Sequence, residues 1–195
     1  MYKKYFKRCL DLLISILISP LVLLVAIPIG IAIKCEDHGS IFYLSDRYCK
    51  NMKKFKMIKF RTMKMNVPDI RNKDGSTYNS EKDPRLTKIG AVLRKTSIDE
   101  LPQIFNVFMG DMSLVGPRPS PMGNEKTYTE FIKKKFTVKP GITGYNQALL
   151  RNSATLCARY KNDVYYAEHV SFLFDVKIII MTIVNVLKKK NIYNS

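Results

Sequence analysis

Residues 12–33 read LLISILISPLVLLVAIPIGIAI and contain no charged side chain between Asp11 and Lys34. A straight α-helix of this length reaches about 33 Å, which matches the hydrocarbon core of a bilayer. A cleaved signal peptide has a shorter apolar region followed by a small-x-small cleavage site, and the sequence has neither. The stretch therefore predicts a membrane-inserted helix, either a spanning anchor or a helix that returns to the side from which it entered.

Two features of this apolar stretch favour re-entry over a simple span. Ser19-Pro20 lies near its centre, and a proline inside a helix removes a hydrogen bond and bends the axis. The Ser19 hydroxyl can bond backbone groups near the proline, so such a break is tolerated in lipid. Both flanks are basic, and short basic flanks remain in the cytoplasm. We therefore predict a re-entrant helix over residues 1–34, broken at Ser19-Pro20, with both chain termini in the cytoplasm.

The composition indicates a globular domain with an anionic partner. The 195 residues are 46% hydrophobic, which excludes a disordered chain, and 33 Lys and Arg against 16 Asp and Glu give a formal net charge of +17. The four cysteines form no C-x-x-C pair, which excludes a zinc ribbon and disfavours a disulfide framework. The charge indicates nucleic acid, phosphorylated substrates or an acidic membrane surface as the partner, and composition leaves all three open.

Beyond the membrane segment, the hydrophobic pattern predicts an α/β domain over residues 35–195. Aromatic and β-branched residues interleaved with charges over 41–63 predict strands. The polar stretch 66–84 predicts a long loop. An apolar helix over 171–190, with polar interruptions and lysines at its end, is expected to lie on the membrane surface or to pack on the core.

Two helices are predicted in the middle of the chain. The first has Asp83 as its N-cap and Pro84 in its first turn, and it ends near residues 94–95. The second begins at the capping-box pattern of residues 97–100 and ends at Gly110. The two helices are therefore predicted to follow one another almost directly.

Asp99 and Glu100 are the first candidates for chemistry, because both are predicted in the first turn of a helix. Acidic residues commonly cap helices there, and that reading stays open. The same positive potential would also keep Asp99 ionised and attract a phosphate. An ionised aspartate is suited to attack on phosphorus, and Mg²⁺ uses one or two carboxylates together with substrate phosphate oxygens.

Three cationic residues complete the candidate site. Arg118 lies between Pro117 and Pro119, and this stiff loop would aim its guanidinium at phosphate oxygens. Arg94 is five residues before Asp99, at the end of the preceding predicted helix, and Lys59 lies on a cationic strand face. Each has an ordinary alternative, respectively a surface turn, a helix C-terminal charge and a solvated strand. Together they describe a phosphate site beside a carboxylate nucleophile.

A set of motifs is spread in order over nearly the whole chain. The motifs are the apolar segment around Ser19-Pro20, KFRTM (59–63), DPRLTKIG (83–90), LRKTSIDELPQIFNVFMGDMSLVGPRP (93–119), KPGITG (139–144) and NDVYYA (162–167). Together they resemble the bacterial sugar transferase family, and specifically its small monotopic phosphoglycosyl transferases. The chain departs from the family where Asn51 replaces a common glycine, where Leu150 replaces a usual glycine before Arg151, and where Leu156 replaces a common tryptophan.

The resemblance implies a reaction. Members of the family transfer a sugar 1-phosphate from a UDP-sugar to polyprenyl phosphate, such as undecaprenyl phosphate, and release UMP. On this chain Asp99 would be the nucleophile that forms a covalent phosphosugar intermediate, and Glu100 would be catalytic and bind Mg²⁺. The substrate-binding residues would be Lys59, Arg94, Arg118, Arg151 and Asp163.

The resemblance also implies a cellular setting. The protein would act on the cytoplasmic face of the bacterial inner membrane, as the first membrane step of a cell-surface glycan. Its partners would be the UDP-sugar, the polyprenyl phosphate and anionic membrane lipids, with downstream glycosyltransferases and without nucleic acid. The fold would be a small α/β catalytic domain with an N-terminal re-entrant helix and interfacial amphipathic helices. A rival interpretation of the charge is a membrane-tethered basic module that binds nucleic acid or lipid without catalysis.

Overall fold

The computed structural model describes residues 1–68, 70, 78, 80, 83–150 and 154–188, which form a mixed helical and sheet structure. Most of the predicted loop over 66–84 therefore lies outside the described residues. The helices are α1 (Lys7–Asp37), α2 (Lys88–Thr96), α3 (Gln103–Met109), α4 (Glu130–Lys133), α5 (Tyr145–Leu150), α6 (Leu156–Glu168) and α7 (Phe172–Leu187). The strands are β1 (Phe42–Tyr48), β2 (Lys54–Phe60), β3 (Ser113–Val115), β4 (Ser120–Pro121) and β5 (Gly141–Thr143).

The apolar stretch forms one long helix. A π-helical turn at Tyr2–Phe6 runs directly into α1, and Pro20 and Pro28 both lie inside this helix. The Ser19 hydroxyl donates a hydrogen bond to the carbonyl of Ser15 at 2.6 Å, a bond to the preceding turn that is typical of bent helices. The helical segment over residues 2–37 is long and apolar enough to cross a membrane, and most of its apolar side chains are exposed.

Both ends of α1 are tied to the same folded domain. Near the N-terminus, the buried Asp11 carboxylate accepts the amide of Leu114 at 3.0 Å. At the C-terminus, the Asp37 carboxylate forms a two-pronged ion pair with the guanidinium of Arg61. The helix is therefore anchored at both ends, and its exposed middle projects apolar side chains.

The sheet is small and built around a hairpin. β1 and β2 pair antiparallel from Phe42 opposite Phe60 to Tyr48 opposite Lys54, while β4 extends this sheet and β3 pairs with β5 in parallel. Asn51 lies in the hairpin turn with φ of 57°, a left-handed conformation that asparagine tolerates better than other side chains except glycine. This explains how the chain forms the turn without a glycine at this position.

The predicted helix starts in the middle of the chain were wrong. α2 begins after Thr87, whose side chain accepts the amide of Gly90, because the Asp83 carboxylate is occupied by the backbone and guanidinium of Arg85. The predicted capping box at residues 97–100 does not form. Ser97 instead has φ of 60° and ends α2, and its side chain makes no cap bond to the turn that follows.

The main core lies between the C-terminal helices and the parallel strand pair. Tyr166 of α6 and Ile178 of α7 are fully buried against Val115 of β3. α7 starts after Ser171, whose hydroxyl accepts the amide of Phe174. Its outer side exposes large apolar residues, Leu173, Ile180, Ile183 and Val184.

Candidate active site

Asp99 and Glu100 lie in a single 3₁₀ turn, Ile98–Glu100, between α2 and α3. Ser97, which has a left-handed backbone conformation with φ of 60°, ends α2 immediately before this turn. Asp99 is only 9% exposed, yet within the described part of the chain its carboxylate accepts no hydrogen bond. The turn therefore presents a desolvated carboxylate whose lone pairs are not engaged by donors.

The environment of Asp99 raises its pKa to about 6. Burial is the main cause, because the charged form loses water, and the neighbouring Glu100 carboxylate adds repulsion. Three cations oppose the rise, first Lys59 and then Arg94 and Arg118. At neutral pH the group is therefore ionised, although less stably than an exposed carboxylate.

Glu100 joins two of the predicted cations. Its Oε1 lies 2.6 Å from the Nζ of Lys59 and 3.5 Å from an Nη of Arg118. Lys59 projects from β2 on the face opposite to Phe60, because side chains alternate along a strand, and Phe60 packs toward α1. The face of β2 that carries Lys59 also carries the buried Phe55 and Met57, so Lys59 lies at the end of an apolar face, where it reaches the candidate site.

Arg94 is positioned by a hydrogen bond to Thr62, which follows β2. Its Nε donates to the hydroxyl of Thr62 at 3.0 Å. α2 lies very close to this segment at Gly90. A Cβ added to Gly90 would lie 1.9 Å from the Thr62 carbonyl oxygen. A glycine is therefore required where the helix carrying Arg94 crosses the end of β2.

Asp163, another predicted site residue, lies away from the carboxylate pair and has a different partner. Asp163 is 1% exposed and forms a buried ion pair with Lys135 at 2.6 Å. The same Lys135 Nζ lies 3.4 Å from the carbonyl oxygen of Arg118. In this conformation Asp163 therefore faces the back of the Arg118 loop and not solvent. Arg151 lies outside the described residues.

Sequence reasoning missed Thr62 and Lys135. Thr62 follows the strand in the KFRTM motif, and its position next to alternating charges was a usable signal. Lys135 is the last of three consecutive lysines, a pattern typical of a solvated face, yet its side chain is buried and its segment packs against α6. Of the cations in KFRTM, Arg61 serves the anchor at Asp37, and Lys59 reaches the candidate site.

The donor set suits a hard cation that also binds substrate. Among the described residues, no group of three His, Cys, Asp or Glu side chains could hold a metal without help. Asp99 and Glu100 are adjacent carboxylates, and Mg²⁺ is commonly bound by one or two carboxylates together with phosphate oxygens and water. The residues present therefore fit Mg²⁺ brought to the site with a phosphorylated substrate.

The comparison with known proteins decides the family. The model of the bacterial sugar transferase family matches residues 2–189. The chain belongs to this family. It is 38% identical over 202 residues to the exopolysaccharide production protein ExoY of Sinorhizobium fredii, an alignment that covers 96% of this chain and 88% of that relative.

Longer members of the family match only in part. The chain is 39% identical to the galactosyl transferase CpsE of Streptococcus agalactiae, over 93% of this chain and 42% of the relative. It is 36% identical to the UDP-glucose:undecaprenyl-phosphate glucose-1-phosphate transferase of Escherichia coli K12, over 92% of this chain and 40% of the relative. The chain thus spans less than half the length of these two members.

Proposed function

We propose that the protein transfers a sugar 1-phosphate from a UDP-sugar to polyprenyl phosphate and releases UMP, through a covalent intermediate on Asp99. The observation that carries the proposal is the Asp99 carboxylate, which is buried, accepts no hydrogen bond from any described residue, and lies near Lys59, Arg94 and Arg118. The names of relatives that act on undecaprenyl phosphate support the same reaction.

In the first step, a carboxylate oxygen of Asp99 attacks the phosphorus that carries the sugar. The bond from this phosphorus to the bridging oxygen breaks, and UMP leaves with the electron pair. The products are UMP and a mixed anhydride that joins the sugar phosphate to Asp99. In the second step, a phosphate oxygen of the polyprenyl phosphate attacks the same phosphorus and returns Asp99 as a carboxylate.

The cations give these steps their electrostatic support. Lys59 and Arg118 converge on Glu100, and Arg94 is fixed beside Asp99 by Thr62, so positive charge is in place before a substrate arrives. A Mg²⁺ ion held by Glu100 would neutralise diphosphate oxygens. Arg118 is 42% exposed in its side chain, which leaves it accessible to a phosphate from solution.

A two-step route also avoids a repulsion. Binding the UDP-sugar and the polyprenyl phosphate together would place several negative charges within a few ångströms. At an effective dielectric of about 20, each such pair at 4 Å costs roughly 4 kcal/mol. Releasing UMP before the second phosphate enters removes part of this charge from the site.

We further propose that α1 is re-entrant and that the domain lies on the cytoplasmic face of the bacterial inner membrane. The anchors at Asp11 and Asp37 support this, because one domain bonded to both ends of the helix places those ends on one side of the bilayer. The basic flanks favour the cytoplasmic side. The exposed apolar side of α7 is suited to the interface, where the basic surface would meet anionic lipids.

The decisive experiment is a single-turnover assay. Purified, lipid-depleted protein is mixed with a panel of UDP-sugars and Mg²⁺, without polyprenyl phosphate. We expect about one UMP per enzyme with the correct sugar, and a sugar-phosphate mass adduct on the peptide that contains Asp99. Asp99→Asn should give neither product.

Two outcomes would overturn parts of the proposal. Turnover with both substrates, without a burst or an adduct, would favour direct transfer in a ternary complex. Absence of UMP with every sugar and acceptor, together with steeply salt-dependent binding of nucleic acid or lipid, would favour the non-catalytic binding module.

Topology is tested by cysteine labelling. In a variant with the native cysteines replaced by serine, Lys4→Cys or His38→Cys places one exposed thiol outside either end of the apolar stretch. Both sites should resist an impermeant maleimide in spheroplasts and react after permeabilisation. Reaction of one site alone in intact spheroplasts would show a spanning helix.

A further inference from the structure

The turn that carries Asp99 and Glu100 connects the C-terminus of α2 to the N-terminus of α3. We call these two helices and the turn between them the α2–α3 unit. The two outer ends of this unit are the N-terminus of α2 and the C-terminus of α3. Unpaired backbone N–H groups at the first end and carbonyl groups at the second end must find partners outside these helices. Both ends are bonded by side chains of α1.

Glu36 binds the outer end of α2. Its Oε1 accepts the amide of Lys88 at 2.5 Å, and its Oε2 accepts the amide of Ile89 at 3.0 Å. Together with the bond from Gly90 to Thr87, the first three amides of α2 are all satisfied. A carboxylate at a helix N-terminus also has the favourable sign for the helix dipole.

Arg8 binds the outer end of α3. One Nη donates to the carbonyl of Val107 at 2.6 Å, and the other donates to the carbonyl of Phe108 at 3.0 Å. A guanidinium at a helix C-terminus again has the favourable sign. A Cβ added to Gly110 would lie 3.3 Å from the Arg8 guanidinium, so this group packs closely against the C-terminal end of α3.

We infer that Arg8 and Glu36 are positioning residues, by which α1 holds α2 and α3 at their outer ends and sets the orientation of the Asp99–Glu100 turn. The two residues are separated by 28 positions along one helix and grip two different elements. α1 also packs against α2 and α3 directly. The inference rests on the proposed role of Asp99, and it gives the membrane helix a part in catalysis besides anchoring.

Two conservative variants of the full chain, reconstituted in lipid nanodiscs, test the inference. Glu36→Gln removes the charge and one of the two acceptors, and Arg8→Lys keeps the positive charge but replaces a fork with a single donor. The matched control is Glu130→Gln, which removes an exposed carboxylate paired with Lys133 on α4. We expect each test variant to lower kcat for UMP release about three- to tenfold, with KM for the UDP-sugar within about twofold.

Two further readouts separate positioning from simple stability. The pH midpoint of the first half-reaction should move in both test variants, because the distances from Asp99 to Lys59, Arg94, Arg118 and Glu100 change. Amide hydrogen exchange in the peptide over residues 97–101 should quicken, while exchange in β3 and β5 stays as in the wild type. The control should change none of these quantities.

Three results decide against the inference. Wild-type kcat and pH midpoint in both test variants would show that the caps do not position the turn. A lowered kcat with an unmoved pH midpoint and uniformly faster exchange would assign a purely stabilising role. If the wild type itself releases no UMP, the proposed function fails, and unchanged exchange over 97–101 in the two test variants would then overturn the positioning role independently.

Discussion

Two buried aspartates of this protein have opposite surroundings. Asp175 on α7 is 4% exposed, and its carboxylate accepts bonds from the hydroxyls of Tyr2 and Tyr166 and from the ammonium of Lys7, at 2.6, 2.7 and 2.5 Å. Asp99 is 9% exposed and, in the described part of the chain, accepts none. The two carboxylates are similarly buried, but Asp175 accepts three hydrogen bonds and Asp99 accepts none from the described residues.

The difference separates a structural carboxylate from a reactive one. A buried carboxylate that is saturated with donors stabilises the fold, and its lone pairs are engaged. A carboxylate stabilised by nearby cations without direct donors stays ionised near neutral pH and retains its nucleophilicity. Asp175 therefore fastens the N-terminal turn to α6 and α7, and the surroundings of Asp99 suit attack on a phosphorus atom.

The largest expected effect is on turnover. Asp99→Asn should lower UMP release by about a thousandfold or more, because a neutral amide is a poor nucleophile. Asp175→Asn is the matched control, with the same chemical change at a saturated site, and its folded fraction should retain activity. The activity of both variants is measured as steady-state UMP formation. Near-normal turnover by Asp99→Asn would show that Asp99 is not the nucleophile.

The second effect is on stability, and it falls on the other aspartate. Asp175→Asn should lower the free energy of unfolding by about 3 kcal/mol, because the largely buried Lys7 loses its ionic partner. Urea denaturation in detergent micelles measures the change. A loss under about 1 kcal/mol would mean that the bonds to Asp175 contribute little.

The third effect has the opposite sign. Because the folded state raises the pKa of Asp99 from 3.8 to about 6, folding favours the protonated form, and that stability is lost as pH rises through this window. Asp99→Asn, which cannot ionise, should therefore be more stable than wild type by about 3 kcal/mol at pH 7.5. The gain should vanish near pH 4. A variant less stable than wild type at pH 7.5 would contradict the desolvation of Asp99.

The fourth effect is on the pH dependence of the rate. Since the reactive form of Asp99 is the carboxylate, kcat/KM for UMP release should fall about tenfold per pH unit below 6 and level off above it. Stopped-flow measurements between pH 4.5 and 8 give the midpoint. A midpoint near 4 would indicate a solvated carboxylate.

The smallest effect concerns the cation beside Asp99. Thr62→Val keeps the shape of the side chain and removes the acceptor for Arg94, so kcat/KM should fall about threefold to fivefold. Thr62→Ser keeps the hydroxyl and should restore most of the rate. Equal losses in both variants would show that packing, not the hydrogen bond, matters at this position.

Local patterns predicted the elements of this fold better than their ends. The strands over 41–63 and the helix from Phe172 follow from the sequence, and the family assignment is confirmed by the match over 2–189. The start of α2 was misplaced, because the carboxylate of Asp83 is engaged by Arg85 and Thr87 caps instead. Whether Asp83 or Thr87 caps α2 depends on which other groups lie near each side chain in the folded protein, and the sequence motif does not contain this information.

The candidate site shows the same limit. Asp99, Glu100, Lys59, Arg94 and Arg118 were predicted and lie together. The environment of Asp163 was not predicted, because its partner Lys135 comes from a run of lysines that looks solvated in the sequence. Burial of a long cationic side chain depends on which helix covers it, and that information is not local.

The bonds from Tyr2 and Lys7 to Asp175 join residues 173 and 168 positions apart. During synthesis the N-terminal helix leaves the ribosome first, and at about 5–20 residues per second its partner follows roughly 10–30 s later. The N-terminal helix is therefore complete before the helix that fastens it has been synthesised. A chain stopped before residue 175 would therefore carry its apolar N-terminal helix without the bonds that Asp175 makes to Tyr2 and Lys7.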